Sequence, residues 1–406
     1  MKELVSVDEA RRIVVDAAAG VSANWDEERV ALREAAGRVL VEDVHSSGDH
    51  PAFPNSAMDG FAVGSEGLEF RIVGESRAGA PFGKALQSGT AIRISTGAVV
   101  PDGAYAVVPI EQVVGHEAGV LRIERQPESG AHFRAAGKDV RRGELAFQRG
   151  TAVTTAMIPM LAMLGVTDVP VARRPRVAIV STGDELLDPS APDPLPPGMI
   201  RDSNGEGLAA MARALGAEVV TLLRARDTED DLRRAVSDAM GADVVVMSGG
   251  VSVGPHDHAR QVLLDLEFQL VFWRVRQRPG KPLAFATSGA RLLFALPGNP
   301  VSSAVCFDQY VRPALARLVG RRDEADRWAT AVLEEPLDTR PTLYHFVRGH
   351  ARYQEDATLS VRATGAQDSN LISSIVGANC LIHVPEGADA PLAQERVRIE
   401  WFRYGC

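Results

Sequence analysis

From Arg176 onward the chain alternates short, wholly apolar runs with stretches of helical periodicity, and this alternation limits its fold more than any other feature. The spacing predicts strands at 177–180, 218–222, 244–247, 283–286 and 292–296. Between them it predicts helices opening at Ser203 as cap and ending near Gly216, over 228–240, near 259–266 and from Pro300. Apolar strands separated by helices of about 10 to 15 residues form a parallel sheet with helices on both faces. The central unit is therefore expected to be a three-layer α/β/α domain with a mostly parallel sheet. Between the first strand and the Ser203 helix lies D-P-S-A-P-D-P-L-P-P-G, a stiff extended loop.

The flanking regions have a different texture. Ser6 and Glu9 form a capping box, and the apolar spacing from Val7 to Ala19 predicts a helix ended by Gly20. A second helix is expected over 26–36, stopped by Gly37. From about Val44 to Gln148, alternating runs such as 70–73, 90–94, 106–110 and 120–123 sit between Gly, Pro and Asp, as in a β-rich unit. A helical stretch follows at 155–164, and short strands return after residue 326. The expected architecture is α/β plus β and multidomain. It has a discontinuous N-terminal domain (1–45 and 145–174), an inserted β-rich domain (46–144), an α/β domain (175–325) and a C-terminal β-barrel-like domain (326–406).

Composition excludes several classes of function. The 406 residues carry a formal net charge of −9, without the broad positive field that nucleic acid or an anionic membrane would need. The three cysteines, Cys306, Cys380 and Cys406, form no C-x-x-C pair, which argues against structural zinc. The N-terminus lacks the apolar core of a signal peptide, and no apolar run approaches the 18 or so residues of a membrane span. A cytoplasmic protein without nucleic-acid or membrane partners is expected.

Ligands of open parallel sheets bind outside the carboxyl ends of the strands, where helix N-termini point. Four polar turns fall there: S-T-G-D-E, D-S-N-G-E, S-G-G-V-S-V-G-P-H-D and A-L-P-G-N-P-V-S-S. Gly249, Gly250 and Gly254 let backbone N–H groups approach an anion, and Asn299 and Pro300 read as N-cap and first helical residue, with Ser302 in the first turn. Pro255 and His256 stand where a nucleotide P-loop needs Lys and Ser or Thr. R-P-G-K-P at 278–282 sets Arg278 and Lys281 around a rigid turn, fit either for an oxyanion or for a solvated surface. Asp227 and Asp257 precede helices and read as caps or as site acids, whereas Glu185 precedes a proline-rich loop. Several carboxylates beside a phosphate cradle suit Mg²⁺. In the β-rich unit, Asn55, Ser56, Asp59 and Gly60 form a polar turn flanked by Phe53, Met58 and Phe61, a plugged hairpin on local grounds.

In order along the chain, N-S-A-M-D-G (55–60), I-R-I-S-T-G-A (92–98), G-K-D-V (137–140), S-T-G-D-E-L (181–186), D-S-N (202–204), S-G-G-V-S-V-G-x-x-D (248–257), R-P-G-K-P (278–282), L-P-G-N-P-V-S-S (296–303) and S-N-L-I-S-S-I-V-G-A-N-C-L-I-H-V-P-E-G (369–387) resemble the molybdopterin molybdotransferases, the MoeA and gephyrin E-domain group. The resemblance implies an elongated four-domain homodimer with its active site between subunits, in which 1–45 and 145–174 are the linker and dimerisation domain and 175–325 is a domain of the molybdopterin-binding type. It implies an enzyme that inserts molybdate into adenylylated molybdopterin, releases AMP and requires Mg²⁺. Carried over position by position, the catalytic groups are Asp59, Asp139, Glu185, Asp227, Asp257 and Lys281, with Glu185, Asp227 and Asp257 as metal ligands. Substrate positions are Asn55, Ser56, Thr96, Ser203, Ser248, Gly249, Gly250, Ser252, Gly254, Arg278, Pro297, Gly298, Asn299, Pro300 and Ser302. Transient contact with the molybdopterin adenylyltransferase and with acceptor molybdoenzymes is implied as well. A gephyrin-like scaffold binding partner peptides, or a paralogue inserting tungstate, are the alternatives. Three features depart from the family pattern: Arg278 where many members have Lys, Tyr105 where an acid is common, and His256 and His258, which have no family counterpart.

Overall fold

The computed structural model describes residues 2–250, 258–322, 327–339 and 342–402. The chain forms two compact units. One comprises Met1–Val41, Gly150–Ile158 and Thr167–Cys406; the other comprises Glu42–Arg149 and Pro159–Val166.

At the centre of the first unit is a six-stranded sheet of β1 (Arg176–Thr182), β2 (Glu218–Ala225), β3 (Val244–Ser248), β4 (Gln269–Phe272), β5 (Ala284–Ser288) and β6 (Arg291–Leu296). Their order is β2-β1-β3-β6-β5-β4. The first four in that order run parallel, and β5 is antiparallel to both its neighbours. The helices are α1 (Val7–Ser22), α2 (Ser203–Ala214), α3 (Glu229–Asp238), α4 (His258–Asp265), α5 (Pro300–Cys306) and α6 (Arg312–Leu318). Alternate side chains of β1 and β3 enter opposite cores, as the two-residue period of a strand requires. Val177, Ile179, Val244 and Val246 pack with α1, α2, α5 and α6, while Ala178, Val180, Val245 and Met247 pack with α3 and α4. The three-layer expectation holds.

The C-terminal strands Trp328–Leu333, Tyr344–Tyr353, Leu359–Ala363, Cys380–Val384 and Arg396–Trp401 close into a five-stranded barrel around Leu333, Val347, Val361, Ile382 and Ile399. A buried polar network ties α1 to this barrel. Arg312 reaches Glu400 at 2.8 Å, Arg327 reaches Asp308 at 2.8 Å, and Gln309 donates to Glu400 at 3.0 Å and also pairs with Arg11 of α1. Burial opposes a charge on Glu400, yet His383, Arg11 and Arg327 hold its carboxyl down at about 2. Burial also lowers His345, to about 4, and lowers His383.

The second unit is β-rich, as expected. Its six-stranded sheet includes Gly60–Val63, Glu69–Ser76, Thr90–Ile94, Ala106–Pro109 and Val120–Ile123, around Phe61, Val63, Phe70, Ala91, Val108 and Leu121.

Two local readings change. Residues 26–36 are not a helix: Glu27–Ala31 is a strand paired antiparallel with Asp168–Ala172, and Leu32–Glu34 is a single 3₁₀ turn. The pairing partner lies far along the sequence, and it outweighs the helix propensity of the local Glu, Arg and Ala residues. The cap of α2 is Asp202, whose Oδ1 accepts the Gly205 N–H at 2.9 Å, rather than Ser203, which is the first helical residue. No helix among the described residues is long and apolar enough to cross a membrane.

Candidate functional site

The carboxyl ends of β1, β2, β3 and β6 lead into one cleft of about 890 Å³. β1 contributes Ser181, Thr182 and, just beyond, Glu185; β2 leads to Asp227; β3 ends in Ser248, Gly249 and Gly250; β6 leads to Pro297, Gly298, Asn299 and Pro300. Asp202, Ser203 and Asn204 at the start of α2, Lys281 of the R-P-G-K-P turn and Asn370 of the C-terminal region complete the lining, with Arg201 and Arg274.

Local chemistry fixes these positions. Gly249 has φ +91°, and a Cβ there would stand 2.5 Å from the Thr182 carbonyl oxygen, so the turn after β3 requires glycine. Asn204 Nδ2 donates to Ser248 Oγ at 2.8 Å and to the Gly298 carbonyl at 2.7 Å, joining the start of α2 to the ends of β3 and β6. Asn299 caps α5 by backbone conformation, while its side chain donates to Ser369 Oγ at 2.9 Å. Asp227 precedes the cap of α3, which is Thr228, and its N–H donates to Asp184 at 3.1 Å. The capping explanation for Asp227 therefore lapses.

The turn bearing Lys281 rests on a buried post. Gln277 is fully buried; its Nε2 donates to the carbonyls of Pro279 (3.1 Å) and Gly280 (3.2 Å), and its Oε1 accepts from the Tyr310 hydroxyl. Arg278, on the same turn, is exposed outside the cleft, its backbone in a short parallel pairing with Tyr344 and His345. Ser302 is buried in α5 and does not line the cleft. Asp257, Ser252 and Gly254, with His256, lie outside the described residues.

Sequence reasoning did not select Ser181, Thr182, Arg201, Asp202, Asn204, Arg274 or Asn370 as site residues. Two hydroxyl residues closing an otherwise apolar strand, and the cap of the helix that follows, were signals for Ser181, Thr182 and Asp202. Arg274 gave none.

The β-rich unit carries the remaining residues: Asp59, Thr96 and Asp139 are exposed, whereas Asn55 and Ser56 are buried. Asp59 Oδ1 accepts the Thr96 N–H at 2.7 Å, linking N-S-A-M-D-G to I-S-T-G. The Ser56 hydroxyl donates to the Met58 carbonyl at 2.6 Å and tightens the same turn. Asn55 and Asp139 share an open groove of about 540 Å³ with His50, Arg134 and Lys138. Asn55 Oδ1 is buried without a hydrogen-bond partner.

No group of three or more His, Cys, Asp or Glu side chains able to hold a metal occurs among the described residues. Glu185 and Asp227 are exposed at the same cleft. Two carboxylates fit Mg²⁺, which takes one or two from the protein and fills its shell with phosphate oxygens and water.

Residues 5–165 match the profile of the MoeA N-terminal region (domains I and II), 178–317 that of a probable molybdopterin binding domain, and 330–397 that of the MoeA C-terminal region (domain IV). The molybdopterin molybdenumtransferase of Haemophilus influenzae is 36% identical over 93% of this chain and 94% of its own length. That of Bacillus subtilis is 34% identical over 94% of this chain and 90% of its own. The chain belongs to the MoeA family. It is thereby an enzyme of molybdenum cofactor biosynthesis. The crystal structure of the molybdopterin biosynthesis MoeA protein from Pyrococcus horikoshii superposes with a TM-score of 0.82 at 27% identity, covering 98% of this chain and all of that one.

Proposed function

We propose that this MoeA-family enzyme inserts molybdate into adenylylated molybdopterin in an Mg²⁺-dependent reaction that cleaves the phosphoanhydride and releases AMP. The observation that carries the reading is the convergence of Glu185, Asp227 and Lys281 with the Gly249–Gly250 turn on one cleft. The Lys281 ammonium offsets phosphate charge, and the N-terminus of α2 faces the same space with its positive end. Glu185 and Asp227, with Asp257 by resemblance, would hold Mg²⁺; when bound, it supplies a Lewis acid for the phosphoanhydride. Ser203, Ser248 and Asn299 provide polar contacts that orient the ligand against the strand ends.

Asp59, Asp139, Thr96, Asn55 and Ser56 form the second half of the machinery. Following the resemblance, the active form is a homodimer in which this half-site of one subunit serves the cleft of the other.

Purified protein given adenylylated molybdopterin, molybdate and Mg²⁺ tests the reading. Molybdate-stimulated AMP release, abolished by a chelator and accompanied by reconstitution of an apo-molybdoenzyme, is expected. AMP release that ignores molybdate, or none from folded protein, would overturn it. Tungstate in place of molybdate separates the paralogue alternative.

A further inference from the structure

We propose that the hydroxyls of Ser181 and Thr182 form the floor of a phosphate subsite in the cleft, occupied by the phosphoanhydride-bearing end of the substrate. The inference deepens the function proposed above and rests on it for the identity of the ligand.

Both residues close β1, and both line the cleft. Ser181 is fully buried and Thr182 is 6% exposed, yet neither Ser181 Oγ nor Thr182 Oγ1 has a hydrogen-bond partner. Buried hydroxyls are normally paired, because an unmet one forfeits the hydrogen bonds it made to water. Two consecutive orphans at the end of β1 are therefore a cost the free protein carries. A ligand that pairs with them removes it.

Their surroundings specify the ligand. Successive residues of a strand face opposite sides, so the two hydroxyls flank the strand end. Ser181 Oγ lies toward the first turn of α2, 2.9 Å from where a Cβ on Gly205 would stand. That end of α2 carries unpaired N–H groups beyond the one Asp202 takes. Thr182 Oγ1 lies against the turn after β3, 2.7 Å and 3.1 Å from the corresponding points on Gly249 and Gly250. Hydroxyls, helix N–H groups and Lys281 supply donors, as phosphate oxygens require, while the neighbouring Asp202 carboxylate is engaged by the Gly205 N–H. No aromatic side chain lines the cleft among the described residues, so this floor offers a pterin or purine ring no stacking surface.

The test uses Ser181→Ala, Thr182→Val and the double variant, with inorganic pyrophosphate and AMP as probes in titration calorimetry and thermal melting of the free protein. The variants are expected to melt at the wild-type temperature or a few degrees above it, since each loses only an unpaired hydroxyl. The double variant is expected to bind pyrophosphate and AMP about tenfold more weakly or worse. A lowered melting temperature would show that the hydroxyls have structural partners and would overturn the proposal. So would unchanged binding, or a wild type that binds neither probe. If wild type releases no AMP from adenylylated molybdopterin while the variants still lose pyrophosphate, the subsite stands and the proposed reaction falls. If it releases AMP and the variants bind both probes normally, the reverse holds.

Discussion

The two units hold their candidate residues in different ways. In the α/β unit they sit at strand ends and helix starts, where sheet register and the glycine turn after β3 leave the backbone no alternative. In the β-rich unit Asp59 and Asp139 ride on surface turns, and the Asp59 side chain is tethered by a hydrogen bond from the Thr96 N–H. A parallel sheet fixes the place of a site before its residues are chosen. A turn on a β unit fixes only what its own hydrogen bonds reach. The cleft should therefore resist relaxation but tolerate little backbone change, and the turns should show the opposite behaviour.

The largest expected effect breaks the rigid half. Gly249→Ala places a Cβ 2.5 Å from the Thr182 carbonyl at φ +91° and should cost about 3 kcal/mol of stability, with activity lost as the turn shifts. Denaturant titration measures it. Next comes Asp59→Asn, which keeps an oxygen to accept the Thr96 N–H and so should leave the melting curve unchanged. It removes the charge and should lower AMP release about a hundredfold or more. A destabilised protein would mean the turn needs the carboxylate for structure.

Acid should act on the first unit. Burial lowers the folded pKa of His345 to about 4, below the unfolded value near 6.5. Its contribution is complete above about pH 6.5 and is lost as pH falls toward 4, on the order of 2 kcal/mol after allowance for solvent screening. Glu400, held at about 2, withdraws its own contribution only at more acid pH, from the ordinary carboxylate range down through 2. Calorimetric melting at pH 7.5 and pH 5 should show the drop, and His345→Gln should flatten it. A pH-independent transition would contradict the assignment. Lys281→Ala is expected to weaken pyrophosphate binding about tenfold at low salt and less at high salt. The smallest effect belongs to the β-rich unit: Gly97→Ala, at φ +78° but in open space, should cost only about 1 kcal/mol.

How much of this was legible follows the same division. The three-layer sheet could be read because apolar strands and helical periodicity repeat from Arg176 onward, and the position of the cleft then followed from topology. Glu185, Asp227, Lys281 and Gly249 were thus reachable from residues and fold together. Asp59, Thr96 and Asp139 were not, since each sits in a turn with an adequate structural explanation; only the ordered set of motifs singled them out. The Glu27–Ala31 strand was misread because its partner, Asp168–Ala172, is distant in sequence. Ser181 and Thr182 were passed over because a strand's last residues look structural until their hydroxyls prove unpaired. Gln277 was invisible for a related reason: its role is set by Tyr310 and the carbonyls of the turn it fills.

We propose that the two half-sites work together across two copies of the chain. Mixing unfolded Asp59→Asn and Lys281→Ala proteins, refolding them together and measuring molybdate-dependent AMP release tests it directly. Each variant alone should be nearly inactive. A shared site predicts that the mixture recovers about a quarter of wild-type activity, because half of the random dimers carry one intact pair of half-sites. A mixture no more active than its components would contradict the account.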